Sequence, residues 1–203
     1  NINVNYYGFE PDPKTFESLK LNSSESTSNL FNLGLSDKDE ETLFYLDNYG
    51  GNSSLIDFGS KENIKVKTKR LDSFDFGNSI KLLKIDAEGL EPEVLKGSIG
   101  IIEKIKYISV DFGAERGENQ GLTVVDVNDF LYNNNFSLVS FSEHRLIGLY
   151  LNNGQRWAVY MNDIWYRELD ENIKLFFENI SDEKNQYKYL PSIGGVTRNG
   201  SKL

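Results

Sequence analysis

Apolar residues along this chain form short runs, and the stretches between them carry apolar residues at helical spacing. Runs of four to eight apolar or alternating residues are typical of β-strands, whereas apolar positions three and four apart are typical of amphipathic helices. The runs predict strands over residues 4–9, 29–35, 42–48, 64–71, 80–85, 106–112, 136–141, 146–151 and 157–162. The helical stretches are 11–22, 91–96, 123–134 and 170–180.

Capping signals locate two of the helices. Asp12 is suited to the N-cap of the first helix, and Pro13 to its first turn. Gly97 is a plausible stop for the second helix, which begins at Glu91. The alternation of strands and helices predicts an α/β protein. Residues 1–180 are expected to form one domain, and residues 181–203, which lack periodicity, a tail that is loose or ordered only by interaction.

Two predicted strand pairs depart from simple alternation. Residues 42–48 and 64–71 are expected to pair as an excursion, by which we mean a strand pair with a polar face that departs from the strand–helix alternation. Residues 136–141 and 146–151 are expected to form a terminal antiparallel pair. Residues 80–85 form a near-continuous apolar run, which predicts a strand buried on both faces. The fold is therefore expected to contain both parallel and antiparallel strands.

Composition narrows the functional classes. The 203 residues carry a net charge of −9, which argues against nucleic acid or an anionic membrane surface as the main partner. The chain has no cysteine, so disulfides and thiolate metal sites are excluded. No apolar run approaches the ~20 residues of a membrane span. These features favour a cytoplasmic protein.

Acidic residues follow four of the predicted strands. Glu10, Asp37, Asp86 and Asp111 each lie at or just beyond a strand end, with Glu115 shortly after the last. If these strands are parallel in one sheet, the acids converge on one crevice, which would suit a hydroxyl-bearing ligand or a metal ion. Each acid alone has a simpler explanation, because acids at helix N-termini complement the helix dipole.

Several segments together resemble the FkbM-type S-adenosylmethionine-dependent methyltransferases. The segments occur in the order of that family and extend over roughly residues 4–150. They are "GFEPDPKTFESLKLN" (8–22), "LGLSDKD" (33–39), "GNSSL" (51–55), "LLKIDAEGLEPEVLKG" (82–97) and "ISVDFGAERG" (108–117).

The resemblance implies a Rossmann-like class I methyltransferase fold, with a mostly parallel sheet whose last strand is antiparallel. It implies that Glu10 binds the ribose hydroxyls of S-adenosylmethionine and that Ser36 and Asp37 contact the adenine. Asp86, which also borders the cofactor, and Glu88 would lie where the methyl group meets its acceptor. The implied reaction is methylation of a hydroxyl oxygen on a sugar, a glycan or a small molecule.

One part of the family pattern is not found in this sequence. The first strand and glycine loop, which cradle the methionine part of the cofactor, are expected upstream of Glu10, and only nine residues precede it. The first strand–helix unit is therefore expected to be missing, and residues 1–203 alone are expected to bind S-adenosylmethionine weakly or not at all. A non-catalytic α/β binding module remains the alternative function.

The roles of the remaining polar residues stay open at this level. Asp86 is favoured as the direct participant, and Glu88 as a positioning residue, while the two could instead hold Mg²⁺; Glu91 is expected to be only a helix-start charge. Glu115 and Arg116 are candidates for substrate binding, although Arg116 could equally form an ion pair with a neighbouring acid. His144, the only histidine, is expected in a surface turn.

Overall fold

A computed structural model describes residues 5–23, 28–47, 52–112, 120–142 and 146–155, together with 191–192 and 196–197. The chain divides into two compact units. The first comprises Asn1–Asp75, Ala87–Ile101 and Gly113–Val127. The second comprises Phe76–Asp86, Ile102–Phe112 and Asn128–Leu203. The predicted strand at 157–162 and the predicted helix at 170–180 lie outside the described residues.

The elements follow one another in the alternating order that the sequence predicts. They are β1 (Tyr6–Phe9), α1 (Pro13–Asn22), β2 (Ser28–Phe31), β3 (Gly34–Leu35), β4 (Glu40–Tyr45), β5 (Asn63–Lys69), β6 (Ile80–Ile85), α2 (Glu91–Lys96), β7 (Ile105–Asp111), α3 (Gln120–Asn133), β8 (Phe136–Ser142), β9 (Ile147–Asn152), β10 (Pro191–Ser192) and β11 (Val196–Thr197). No helix within the described residues is long and apolar enough to cross a membrane.

The first unit contains two small sheets. Strand β1 pairs in parallel with β2, and β5 pairs in parallel with β3 and antiparallel with β4. The pairing of β4 with β5 confirms the predicted polar-faced excursion, since Phe44 and Val66 point inward while the lysines of β5 are exposed. Helix α1 begins as predicted, because the Asp12 carboxylate accepts hydrogen bonds from the backbone N–H groups of Lys14 and Thr15.

The second unit is built on a four-stranded sheet of order β6-β7-β9-β8. Strand β6 is parallel to β7, and β9 runs antiparallel to both β7 and β8. The predicted terminal antiparallel pair is therefore present, and its last strand is inserted between β7 and β8. Ile105, Ile108, Val110 and Phe136 are fully buried in this unit. The α/β class, with mixed sheets, is confirmed.

Two sequence predictions were wrong. Residues 29–35 form two strands rather than one, because the Asn32 side chain donates hydrogen bonds to the carbonyl oxygens of Glu10 and Pro11 at the point where the ladder would continue. Strand β6 is not buried on both faces: Leu82 is 53% exposed, and Ile85 is its one buried residue. Among the described strands β6 pairs only with β7, so it lies at a sheet edge.

In the tail predicted to be loose, β10 and β11 pair antiparallel. Whether residues 1–180 form the domain stays a prediction.

Candidate functional site

Glu10 directly follows β1 and is held by both its backbone and its side chain. Its N–H donates to the Phe31 carbonyl at 3.1 Å. Its Oε1 accepts a hydrogen bond from the Asp12 N–H at 2.8 Å. Burial raises the pKa of the Glu10 carboxyl above its usual value; the hydrogen bond from Asp12 N–H opposes this shift, and the charge of Asp12 adds to it. The result is a half-buried carboxylate with a defined position at a strand end.

The second carboxylate oxygen of Glu10 is available to a ligand. Among the described residues, no donor is hydrogen-bonded to Oε2. Since Oε1 is fixed by a backbone amide, Oε2 has a defined direction without losing its capacity to accept. A carboxylate of this kind can accept hydrogen bonds from the hydroxyl groups of a sugar ring.

Three phenylalanines form an aromatic cluster next to Glu10 in the first unit. Phe9 stacks on Phe31 with ring centroids 5.2 Å apart. Phe74 meets both edge-on, at 5.1 and 5.0 Å. Edge-to-face and offset stacked rings attract each other. The cluster therefore ties the ends of β1 and β2 to the segment after β5, and so stabilises the strand end from which Glu10 projects.

Ser36 and Asp37 follow β3 in the same unit. Ser36 is buried, its N–H donates to the Lys69 carbonyl at 3.0 Å, and its Oγ donates to Asp37 Oδ1 at 3.3 Å. A Cβ at Gly97 would lie 2.1 Å from the Ser36 carbonyl oxygen. The end of α2 can therefore approach Ser36 only because residue 97 is glycine, and this contact explains the glycine that the sequence marked only as a helix stop.

An ion pair after β5 was not anticipated from the sequence. The Arg70 guanidinium donates to both carboxylate oxygens of Asp72, and the Gly100 N–H donates to Asp72 Oδ2 at 3.0 Å. The Arg70 N–H donates to Asp39 Oδ1 at 2.8 Å. The hydrogen bonds from Arg70 lower the pKa of the Asp72 carboxyl below its usual value. These bonds fasten the loops that flank Ser36 and Asp37.

The segment between β6 and α2 is a tight turn with two residues in the left-handed region. The Leu90 N–H donates to the Ala87 carbonyl at 3.2 Å, with φ at +48° for Glu88 and +100° for Gly89. Positive φ at both central residues is typical of a type I′ turn, which glycine adopts easily and glutamate does not. Holding Glu88 in this conformation costs about 1–3 kcal/mol, which the surrounding contacts offset.

Glu91 has a larger role than the sequence predicted. It is fully buried, and its Oε1 accepts hydrogen bonds from the N–H groups of Ala87 at 3.2 Å and Gly89 at 3.0 Å. On the opposite side of the turn, the buried Ser54 donates its hydroxyl to the Glu88 carbonyl at 2.6 Å. Glu91 is therefore not a solvated helix-start charge. The sequence signal that could have revealed this role is its spacing of two residues from Gly89, which lets one carboxylate reach back over the turn.

Asp86 directly follows β6 in the second unit. Its side chain is 41% exposed and forms an ion pair with Lys84. Within the described residues, no group of three or more acidic or histidine side chains could hold a metal ion. The structure gives no support to the predicted Mg²⁺ site at Asp86 and Glu88.

The predicted convergence of the strand-end acids stays a prediction. Glu10 and Asp37 follow strands of two different sheets in the first unit, and Asp86 and Asp111 belong to the sheet of the second. Glu115, Arg116 and His144 lie outside the described residues.

A cavity of about 410 Å³ opens in the first unit beside the start of α1. Its lining includes Asp12 and Lys14 from the helix and Asp47, Ser53 and Glu62 from the β4–β5 excursion. The lining combines polar with apolar side chains, and it carries more negative than positive charge. It is large enough for a sugar-sized ligand.

The strands and helices described above define an α/β protein, and its strand-end acid Glu10 has one carboxylate oxygen fixed by a backbone amide. The sequence model of the Methyltransferase FkbM domain family matches residues 2–138, so the chain belongs to this family. The resemblance seen in the sequence motifs is thereby confirmed.

Two relatives were found. The hexuronic acid methyltransferase AglP from Haloferax volcanii is 27% identical over 116 residues, which cover 55% of this chain and 48% of that protein. The crystal structure of methyltransferase FkbM from Methylobacillus flagellatus KT shares 15% identity with a TM-score of 0.43, covering 72% of this chain and 36% of that one. In both comparisons, the matched part is less than half of the relative.

Proposed function

We propose that the protein is an S-adenosylmethionine-dependent methyltransferase that methylates a hydroxyl oxygen of a sugar, glycan or small molecule. Membership of the Methyltransferase FkbM domain family supports methyl transfer as the reaction. The name of the Haloferax volcanii relative, a hexuronic acid methyltransferase, supports a sugar as the acceptor.

The observation that carries the proposal is the geometry of Glu10. Its carboxylate follows β1, has one oxygen fixed by the Asp12 N–H, and keeps the other available. The two ribose hydroxyls of S-adenosylmethionine are the donors that such a carboxylate would accept. Each charge-assisted hydrogen bond contributes about 1.5–3 kcal/mol before losses. The residues present therefore fit the ribose of the cofactor.

The other residues have roles that follow from this placement. Ser36, whose N–H donates to the Lys69 carbonyl, and Asp37, which accepts from the Ser36 hydroxyl, would contact the adenine. Asp86 and Glu88 would face the acceptor, with Glu115 and Arg116 assisting in its binding. Bound S-adenosylmethionine supplies the methyl group. In the reaction, the acceptor oxygen would form a bond to the methyl carbon while the methyl–sulfur bond breaks and S-adenosylhomocysteine leaves. The proton of the acceptor hydroxyl would pass to a base, for which Asp86 is the candidate.

Calorimetry with S-adenosylmethionine on the full-length protein tests the Glu10 assignment. Glu10→Ala should weaken binding by about 2–4 kcal/mol, because two charge-assisted hydrogen bonds are lost. Glu17→Ala is the matched control, since Glu17 is an exposed acid on α1 that pairs only with Lys20 among the described residues. Affinity of Glu10→Ala within twofold of wild type would remove Glu10 from the ribose role.

Transfer of a radiolabelled methyl group from S-adenosylmethionine to a panel of p-nitrophenyl glycosides tests the reaction. The panel includes a glucoside, a glucuronide and an N-acetylglucosaminide. Label on the sugar hydroxyl of at least one glycoside is the expected result. Tight cofactor binding without transfer to any acceptor would instead favour a non-catalytic binding module.

A further inference from the structure

Two buried side chains, those of Ser54 and Glu91, form hydrogen bonds with the backbone of the turn between Ala87 and Leu90. We propose that Ser54 and Glu91 are positioning residues that hold Glu88 in place for the reaction. This inference rests on the proposed function, because it assigns Glu88 to the acceptor end of that same site. Ser54, Glu88 and Glu91 all belong to the first unit.

Glu91 fixes the turn from the helix side. Its Oε1 accepts hydrogen bonds from the Ala87 and Gly89 N–H groups, which flank Glu88 in sequence. Glu91 is 0% exposed, so these bonds form away from water, where hydrogen bonds are stronger than at the surface. Both amides that neighbour Glu88 are therefore anchored to a single carboxylate at the first residue of α2.

Ser54 fixes the turn from the excursion side. Its hydroxyl donates to the Glu88 carbonyl at 2.6 Å and accepts from the Ile56 N–H at 2.9 Å. Its backbone pairs with Tyr45 in both directions, at 2.8 and 3.0 Å. Ser54 is 1% exposed and is anchored to the end of β4, so it is a rigid donor for the turn.

Glu88 needs these contacts because its own backbone conformation is unfavourable. At φ +48° it lies in the left-handed region, which residues other than glycine rarely adopt. The backbone angles of a residue set the direction in which its side chain leaves the chain. Loss of either anchor would let residue 88 relax to negative φ and would redirect its carboxylate. A displacement of ~1 Å at a reacting centre can cost ~10²-fold in rate.

Four variants of the full-length protein test the proposal. Glu91→Leu removes the acceptor and puts an apolar side chain of similar size in its place. Glu91→Gln retains an oxygen that can accept from both amides. Ser54→Ala removes the donor to Glu88. Ser23→Ala is the control for Ser54, because the Ser23 hydroxyl also donates to a backbone carbonyl, that of Leu19 at 2.8 Å, at the end of α1.

Methyl transfer to the panel of p-nitrophenyl glycosides and calorimetry with S-adenosylmethionine are the readouts. Glu91→Leu and Ser54→Ala should each lower kcat at least about tenfold, while their affinity for S-adenosylmethionine stays within about threefold of wild type. Glu91→Gln should restore kcat to within about threefold. Hydrogen exchange at the Gly89 amide should be faster in Glu91→Leu than in wild type.

The outcomes separate this inference from the proposed function. Unchanged kcat in Glu91→Leu and Ser54→Ala, with an active wild type, would overturn the positioning role and leave the function intact. Equal losses of kcat and cofactor affinity would show that these side chains only support the fold. That outcome would also overturn the positioning role. A wild type that methylates no glycoside in the panel would overturn the proposed function, and the inference with it.

Discussion

Glu10 combines two opposing demands in one side chain. Partial burial and the nearby charge of Asp12 disfavour the ionised carboxylate, whereas binding ribose hydroxyls needs it ionised. The hydrogen bond from the Asp12 N–H offsets part of this cost and sets the direction of the group. Under the proposed function, an ionised Glu10 would favour cofactor binding at the expense of stability.

Replacing Glu10 with glutamine removes the charge and should therefore reveal how much the ionised carboxylate costs in stability. The folded-state pKa of Glu10 is raised above 4.5, so its ionisation lowers stability as pH rises through that raised value. At pH 7 Glu10→Gln should therefore raise the free energy of unfolding, by less than about 1 kcal/mol because partial exposure screens the charge. The gain should shrink as pH falls through 4.5 and disappear well below it, where wild type is protonated in both states.

Urea unfolding of both proteins at pH 7 and pH 4 measures this difference. A Glu10→Gln variant less stable than wild type at pH 7 would show that the ionised carboxylate makes favourable contacts that outweigh its burial.

The proposed role of Asp86 in the reaction is tested by measuring turnover. Asp86→Asn in the full-length protein should lower turnover at least about 100-fold, which is within the range typical of acid–base groups, with little change in affinity for S-adenosylmethionine. Asp129→Asn, on the exposed side of α3, is the matched control. Near-normal turnover of Asp86→Asn would mean that the carboxylate serves only its ion pair with Lys84.

At the scale of elements, α2 shows how a very short helix is stabilised. It has six residues, too few to be stable alone in water, and both of its ends are tied to other parts of the first unit. Glu91 at its start caps the preceding turn, and the Gly97 carbonyl after its end accepts from the Asp72 N–H at 2.9 Å. The helix therefore depends on tertiary contacts, and the loops it touches carry the predicted site residues.

Gly97→Ala should be strongly destabilising. The added Cβ would lie 2.1 Å from the Ser36 carbonyl oxygen, which is backbone and cannot rotate away. We expect the free energy of unfolding to fall by about 3 kcal/mol, the upper end of the usual cost of overpacking. Because Ser36 must move, affinity for S-adenosylmethionine should fall as well.

Gly59→Ala is the matched control. Gly59 has a φ of +88° and no atom within 4 Å of an added Cβ, so only backbone strain of about 1 kcal/mol is expected. Urea unfolding of the two variants separates steric overlap from strain. Equal losses of stability would contradict the close approach of Gly97 to Ser36.

At the scale of the whole molecule, charge and family membership limit the ligands. The net charge of −9 opposes binding of polyanions, and membership of the FkbM family supports S-adenosylmethionine, which carries a positively charged sulfonium, as the ligand. A ligand that binds only the folded state stabilises it by an amount set by its concentration and affinity. Cofactor binding should therefore be visible as a change in thermal stability.

S-adenosylmethionine at ~100 times its dissociation constant should stabilise the full-length protein by about 2.7 kcal/mol. For a protein of this size, the midpoint of thermal unfolding should rise by roughly 5–10 °C. In Glu10→Ala, the same concentration should stabilise by less than about 1 kcal/mol, because the weaker affinity brings the ligand close to its dissociation constant. Equal shifts in the two proteins, measured by scanning calorimetry, would count against a ribose contact at Glu10.

Hydrophobic periodicity and capping signals predicted most described elements, because these patterns act within a few residues. Helix α1 with its Asp12 cap, the β4–β5 pair and the β8–β9 pair follow in this way. The break between β2 and β3 escaped prediction, because the bonds of Asn32 to Glu10 and Pro11 cross about twenty residues of chain. The exposure of Leu82 was not predicted either, because the sequence of one strand does not show whether that strand lies at the centre or at the edge of a sheet.

The sequence alone determined the α/β class, the family and the identity of the strand-end acids, since these depend on residue types and their spacing. Only the tertiary structure decided what each acid does. It buried Glu91 against the Ala87 and Gly89 amides, paired exposed Asp86 with Lys84, and half-buried Glu10. The physical reason is that burial and hydrogen-bond partners, which set the charge state and direction of a carboxylate, are supplied by residues distant in the chain.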